Sequence, residues 1–131
     1  MLSFDIRLDS LYNDNFTVTG STAELDLENR IGNLFLNVSA RAGGTGDTTV
    51  AVEHAETSGG TFSAVPASAL FNVLTGEADT FTNITTTALD ETLGLNRQQL
   101  KRFVRVTFAG TITSQDVAVT AGTQPQASAD S

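Results

Sequence analysis

Leu34-Phe35-Leu36-Asn37-Val38-Ser39-Ala40-Arg41 is the stretch on which the fold turns. Leu34, Leu36, Val38 and Ala40 alternate with Phe35, Asn37, Ser39 and Arg41. Side chains repeat every second residue along a strand and about every 3.6 along a helix. A period of two therefore predicts a strand with one face in a core and the other outside it. Upstream, Leu2, Phe4, Ile6 and Leu8 alternate with Ser3, Asp5, Arg7 and Asp9. Phe16 and Val18 alternate with Thr17 and Thr19, and Ala23, Leu25 and Leu27 with Glu24, Asp26 and Glu28. Downstream, Val50 and Val52 repeat the pattern, then Val104, Val106 and Phe108, then Val117, Val119 and Ala121.

Turn chemistry separates these runs. Asn13-Asp14-Asn15 reads as a turn, because Asn and Asp bond their own backbone. Asn29-Arg30-Ile31-Gly32 reads as another. Gly43-Gly44-Thr45-Gly46-Asp47 reads as a loop joining the runs at Val38 and Val50 into a hairpin. Pro66 excludes a central strand after Phe62 and Val65, since proline cannot donate to a ladder. Leu70, Phe71, Val73 and Leu74 fit a strand or a helical turn. Thr80, Thr82, Thr85, Thr86 and Thr87 around Phe81 and Ile84 favour strand through their β-branching. Residues 88–100, with Leu89, Leu93, Leu95 and Leu100, are the one candidate helix; Gly94 interrupts it, so an irregular loop fits equally.

About eight to nine short strands at a spacing of roughly 8–12 residues predict an all-β fold, an antiparallel β-sandwich or jelly-roll-like domain with at most one short helix. The domain is read as residues 1–121, with 1–9 as an N-terminal strand or arm. Residues 122–131 carry no large apolar side chain and are read as a flexible tail. Without long helices there is no βαβ unit and no nucleotide crevice.

Composition narrows function. Only 17% of residues are charged, yet 40% are apolar, so the low charge does not signal disorder. Thr, Ser and Gly fill the difference, at 20, 10 and 11 residues. The absence of Cys excludes a disulfide scaffold and any Cys-based zinc or redox site. A net charge of −8 argues against nucleic acid as a partner, since phosphate backbones need clustered cations. No apolar run approaches the ~20 residues a helix needs to cross a membrane, so no membrane partner is expected. The alternating, Asp5-bearing start does not resemble a secretory leader, which predicts folding in the cytoplasm where the chain is made.

Chemistry is sparse. His54 is the sole histidine and is read as an exposed strand-end residue. No Gly-x-Ser-x-Gly elbow offers it a nucleophile, so no catalytic residue is assigned. One Tyr and no Trp leave few platforms for a sugar. The loop at Gly43 is followed by neither Gly-Lys-Ser/Thr nor a helix, and a single glycine-rich copy assigns no metal. No cofactor is expected. The charge layout says more: Arg97, Lys101, Arg102 and Arg105 are four of the seven basic residues and fall within nine positions. They read either as a solvated strand end or as a basic patch for an acidic partner surface. Phe35 and Phe103 lie opposite their strands' apolar rows and are candidate contact residues. The N-terminal run (Leu2, Phe4, Ile6) is a third, able to pair within the sheet or to augment another chain.

Three segments carry a resemblance: Val52-Glu53-His54-Ala55, Gly60-Thr61-Phe62-Ser63-Ala64-Val65-Pro66, and Leu100-Lys101-Arg102-Phe103-Val104-Arg105-Val106. With the Thr-rich final strands they make residues 50–121 similar to small tailed-bacteriophage head proteins of the capsid decoration, or cement, type. The resemblance implies a non-enzymatic virion protein on the capsid exterior, binding the major capsid protein and itself, as a homotrimer, to stabilise capsomer junctions. The readings that compete with it are a carbohydrate- or receptor-binding sandwich of a phage tail or adhesin, and a head–tail or tail structural protein.

Overall fold

The computed structural model describes residues 8–16, 20–29, 34–111 and 115–123. It is all-β, with ten strands in two antiparallel sheets consistent with a β-sandwich. The strands are β1 (Leu8–Phe16), β2 (Gly20–Ser21), β3 (Leu25–Asp26), β4 (Leu34–Ala40), β5 (Thr48–Ala55), β6 (Ser63–Ala64), β7 (Leu70–Asn72), β8 (Leu89–Leu95), β9 (Phe103–Gly110) and β10 (Gln115–Thr123). One sheet runs β1-β10-β4-β8-β7 and the other β2-β9-β5-β6, with β3 beside β2 on the same edge of β9. The only helical turns among the described residues are three-residue 3-10 turns: Leu27–Asn29, Ala67–Ala69 and Arg97–Gln99.

The alternation sets the core. Along β4 the even residues are buried and the odd ones half-buried. The inward rows of β5, β9 and β10 meet them: Val50 and Val52, Val104, Val106 and Phe108, Val117 and Val119. Leu36, Val38, Val104, Val106 and Val119 are fully buried.

Several sequence expectations are corrected. The runs at Val38 and Val50 do not form a hairpin: β4 pairs with β10 and β8, whereas β5 pairs with β9 and β6. The glycine-rich loop is a crossover between sheets. Gly46 is needed there, with φ +98° and an added Cβ 2.6 Å from the Thr111 carbonyl oxygen. Asn13-Asp14-Asn15 lies within β1 rather than in a turn, because Ala118, Val117 and Asp116 of β10 supply backbone partners. The candidate helix at 88–100 is β8 followed by the 3-10 turn. Its inward residues Leu89, Leu93 and Leu95 fit a period of two once Gly94 is seen to face outward. Residues 80–87 form no strand. Phe81 and Ile84 are buried, and Ile84 exchanges two 2.8 Å backbone hydrogen bonds with Thr48 as an isolated bridge. β10 runs to Thr123, past the expected start of the tail at 122. Residues 1–7, including Leu2, Phe4 and Ile6, lie outside the described residues.

Gly94 also explains Phe35. It pairs with Phe35 on one side and Phe71 on the other, and Gly122 pairs with Phe35 from β10. The Phe71 ring occupies the space over Gly94, where a Cβ would lie 2.3 Å from it. Phe35 is half-buried in a row whose glycines leave room for rings.

Two stability outcomes follow. Leu36→Ala removes a fully buried side chain and lowers the unfolding free energy by about 2–5 kcal/mol. Gly94→Val, which must displace the Phe71 ring, costs about 1–3 kcal/mol. Urea titrations read both; a Gly94→Val midpoint equal to wild type would disprove the ring contact.

Candidate functional site

The outer face of the second sheet and its end near Phe103 gather most of the polar residues that the sequence singles out. Odd residues of β9 point outward: Phe103, Arg105 and Thr107 are half-buried there. Across the ladder Arg105 faces Glu53, and their side chains pair at 3.0 Å. The Arg105 guanidinium also lies over the Phe62 ring, 4.0 Å from its centroid. That is close enough for a cation–π contact. On the other edge β3 places Asp26 beside Phe103. Arg102 makes a two-point bond to Asp26, at 2.9 Å from both Nε and an Nη, and an ion pair with Glu28 at 3.0 Å. It also stands over the Phe103 ring, 4.9 Å from the centroid.

The 3-10 turn Arg97–Gln99 leads into this strand. Asn96 caps it, its side-chain oxygen accepting from the Gln98 amide at 3.2 Å. Arg97 reaches across to donate to the Leu27 carbonyl at 2.9 Å. Leu27, Glu28, Arg97, Leu100, Lys101 and Arg102 line an open depression of about 220 Å³. Lys101 is exposed there and makes no ion pair among the described residues.

Of the nine residues expected at an interface, Arg97, Lys101, Arg102, Phe103 and Arg105 thus share one end of the sandwich. Phe35 does not join them; it sits on the outer face of the opposite sheet. The basic patch differs from its appearance in the sequence, because Asp26, Glu28 and Glu53 neutralise Arg102 and Arg105. Those acids were visible as the outward residues of alternating runs, but their pairing depends on β3 and β5 flanking β9. Glu24 does related work nearby. Its carboxylate accepts from the Ser58 hydroxyl at 2.7 Å and the Gly59 amide at 2.9 Å, tying the 56–60 turn to the β3 edge. Those two bonds hold Glu24 below the usual carboxylate range, and the Arg102 bond does the same for Asp26.

His54 is buried, not exposed, because it continues the inward row of Thr48, Val50 and Val52. Its Nδ1 accepts from the Lys101 amide at 3.1 Å. That bond requires the neutral ring with its proton on Nε2. Loss of hydration, and secondarily the Lys101 charge, push its pKa below the usual 6.5. No group of three or more His, Asp or Glu able to hold a metal ion occurs among the described residues. No helix there is long and apolar enough to cross a membrane. No family model matches the chain, and neither a curated protein nor a solved structure does.

A pH dependence follows. His54 takes up a proton less readily folded than unfolded, so its contribution to stability is complete above pH 6.5 and falls away as pH drops below it. Asp26 and Glu24, with lowered pKa values, lose their contributions only below the ordinary carboxylate range, at lower pH. Urea midpoints should therefore decline between pH 7 and 5 in the wild type and stay level in His54→Gln over that window. Parallel curves would remove His54 as the cause.

Proposed function

We propose that this chain is a non-enzymatic decoration (cement) protein of a tailed-bacteriophage head, bound to the major capsid protein on the capsid exterior. One observation carries the reading. The third of the segments that resemble such proteins is remote in sequence from the first two, yet all three contribute to adjacent strands, β6, β5 and β9, of one sheet. Glu53 from the first, Phe62 from the second and Arg105 from the third meet in one contact cluster. That each segment contributes an outward residue to one cluster supports the reading.

The surface suits adhesion. Its arginines are held in place by carboxylates and rings, while Lys101 at the end of the sandwich is left to meet an acidic partner. Each such contact is weak, and avidity between linked copies on a lattice of identical sites multiplies it. In this scheme the N-terminal residues Leu2, Phe4 and Ile6, which lie outside the described residues, supply apolar contacts to a neighbouring chain.

Purified expanded capsids lacking the protein provide the test. Lys101→Glu, at an exposed position, should lower occupancy severalfold at about 0.1 M salt. The gap should narrow towards about 1 M, where screening is strong. Deleting residues 1–7, which precede β1, should lower occupancy at either salt. No capsid binding by the wild type, together with binding to a glycan array, would instead favour the receptor-binding reading.

A further inference from the structure

One position on the edge of the second sheet is held open by the segments on either side of it. The Thr111 amide donates to the Asp47 carbonyl, which sets the odd residues of β5 towards β9 and the even ones towards the opposite edge. On that edge His54 pairs with Ser63, the Val52 carbonyl accepts from the Val65 amide, and Thr48 is bridged to Ile84. Val50 lies between them. Its N–H and C=O have no partner among the described residues, although the residue is only 6% exposed. Two segments would reach Val50 by continuing in register, and both are drawn away. In the register of β6, Ala67 would stand opposite Val50. Pro66 instead turns the chain into the 3-10 turn Ala67–Ala69, closed by the Ala69 amide on the Pro66 carbonyl. In the register of the Ile84 bridge, Thr82 would stand there. The Glu91 carboxylate of β8 holds its amide and its hydroxyl instead, at 2.7 and 2.6 Å.

The result is a cleft of about 190 Å³ beside Val50, walled by Val65, Pro66, Leu70 and Phe81, with Asp79 among its lining residues. A buried backbone donor and acceptor without partners are costly. In an antiparallel ladder their complement is the C=O and N–H of a single residue on the facing strand, which an isolated side chain cannot supply. Directly opposed residues point their side chains to the same face. A residue facing Val50 therefore turns its side chain inward, towards the buried Leu70 and Phe81, which calls for an aliphatic group. Its two neighbours turn outward. From Val52 to Thr48 the edge spans about 13 Å at roughly 3.3 Å per residue, room for a run of about three extended residues. Asp79 is exposed and makes no ion pair among the described residues, so it favours a basic neighbour.

We propose that this cleft binds a short extended segment of another protein by strand addition, with an aliphatic residue paired to Val50 and a lysine or arginine next to it facing Asp79. The cleft shares no lining residue with the depression at Lys101. The proposal stands apart from the capsid reading, since a synthetic peptide and the isolated protein suffice to test it.

The probe is the blocked peptide acetyl-Ser-Lys-Val-Ser-Gly-amide, titrated to millimolar concentration into isotope-labelled protein and followed by NMR. Saturable shifts should appear at Val50, Leu70 and Phe81, and hydrogen exchange of the Val50 amide should slow on binding. The same peptide with N-methylvaline, which lacks the donor for the Val50 carbonyl, should bind at least severalfold more weakly. Asp79→Asn, at an exposed position, should weaken the lysine peptide severalfold and leave a peptide with serine in place of lysine unaffected. Glu91→Ala releases Thr82 towards Val50, so it should slow Val50 exchange in the free protein and abolish binding. Absence of saturable shifts, or equal binding of the N-methylvaline peptide, would overturn the proposal. So would a Val50 amide that, in the free wild type, is as protected as that of Ala51, which β9 engages.

Discussion

The inward rows of four strands, β4, β5, β9 and β10, are what the rest of the structure depends on. Their residues interlock between the sheets, and Leu36, Val38, Thr48, Val104, Val106, Phe108 and Val119 among them are fully buried. The chain supplies these strands at widely separated times. β10 sits between β1 and β4, and β9 sits between β2–β3 and β5. An interior strand of each sheet is therefore among the last of the described strands to be made. Before residue 103, β1, β2 and β3 have no ladder partner, and β4 and β5 each lack the neighbour on one side. Such non-local pairing gives slow, cooperative folding rather than assembly from stable hairpins.

A sandwich of short strands must also dispose of its edges, since unpaired edges recruit other chains. Here the margins are closed one residue at a time. Thr22 bonds Val106 through its backbone and its hydroxyl, and the Ala23 amide donates to Leu11 across the gap between the sheets. The 77–79 segment bonds Asn72 and Leu70 along β7, and Ile84 bridges Thr48. These closures use loop residues rather than strands. Residues 80–87, rich in β-branched side chains, are consequently needed as an edge seal, and they form no strand of their own.

The same logic explains what was legible in the sequence. Strands with one face in the core announced themselves through alternation, and β4, β5, β9 and β10 lie where Val38, Val50, Val106 and Val119 placed them. β8 was hidden because Leu89, Leu93 and Leu100 also fit a helical spacing, and only the Phe71 ring on Gly94 shows why a glycine belongs there. Sheet membership was not legible. A glycine-rich loop of five residues serves a hairpin or a crossover equally well, and the choice depends on which later strand claims β4. His54 is buried for a related reason. It ends an inward row, and the Lys101 amide that satisfies it arrives from 47 positions away.

The charge pattern shows how a sequence asymmetry changes meaning on folding. Basic residues cluster between 97 and 105, and acids alternate between 24 and 28, which as text reads as two opposed patches. Antiparallel pairing of β3 with β9 lays one against the other, so Asp26 and Glu28 meet Arg102 while Glu53 of β5 meets Arg105 from the far side. Ion pairs that water reaches in this way add little to stability. Their effect is on specificity. A shift of β3 along β9 would strand Arg102 away from both carboxylates, and the two-point Arg102–Asp26 bond discriminates between registers more sharply than a diffuse attraction could. The pairing also decides which charge faces outward. With Arg102 and Arg105 engaged, Lys101 stands at the rim of the depression. A surface whose cations are mostly paired attracts an acidic partner more weakly than the sequence count of basic residues implies.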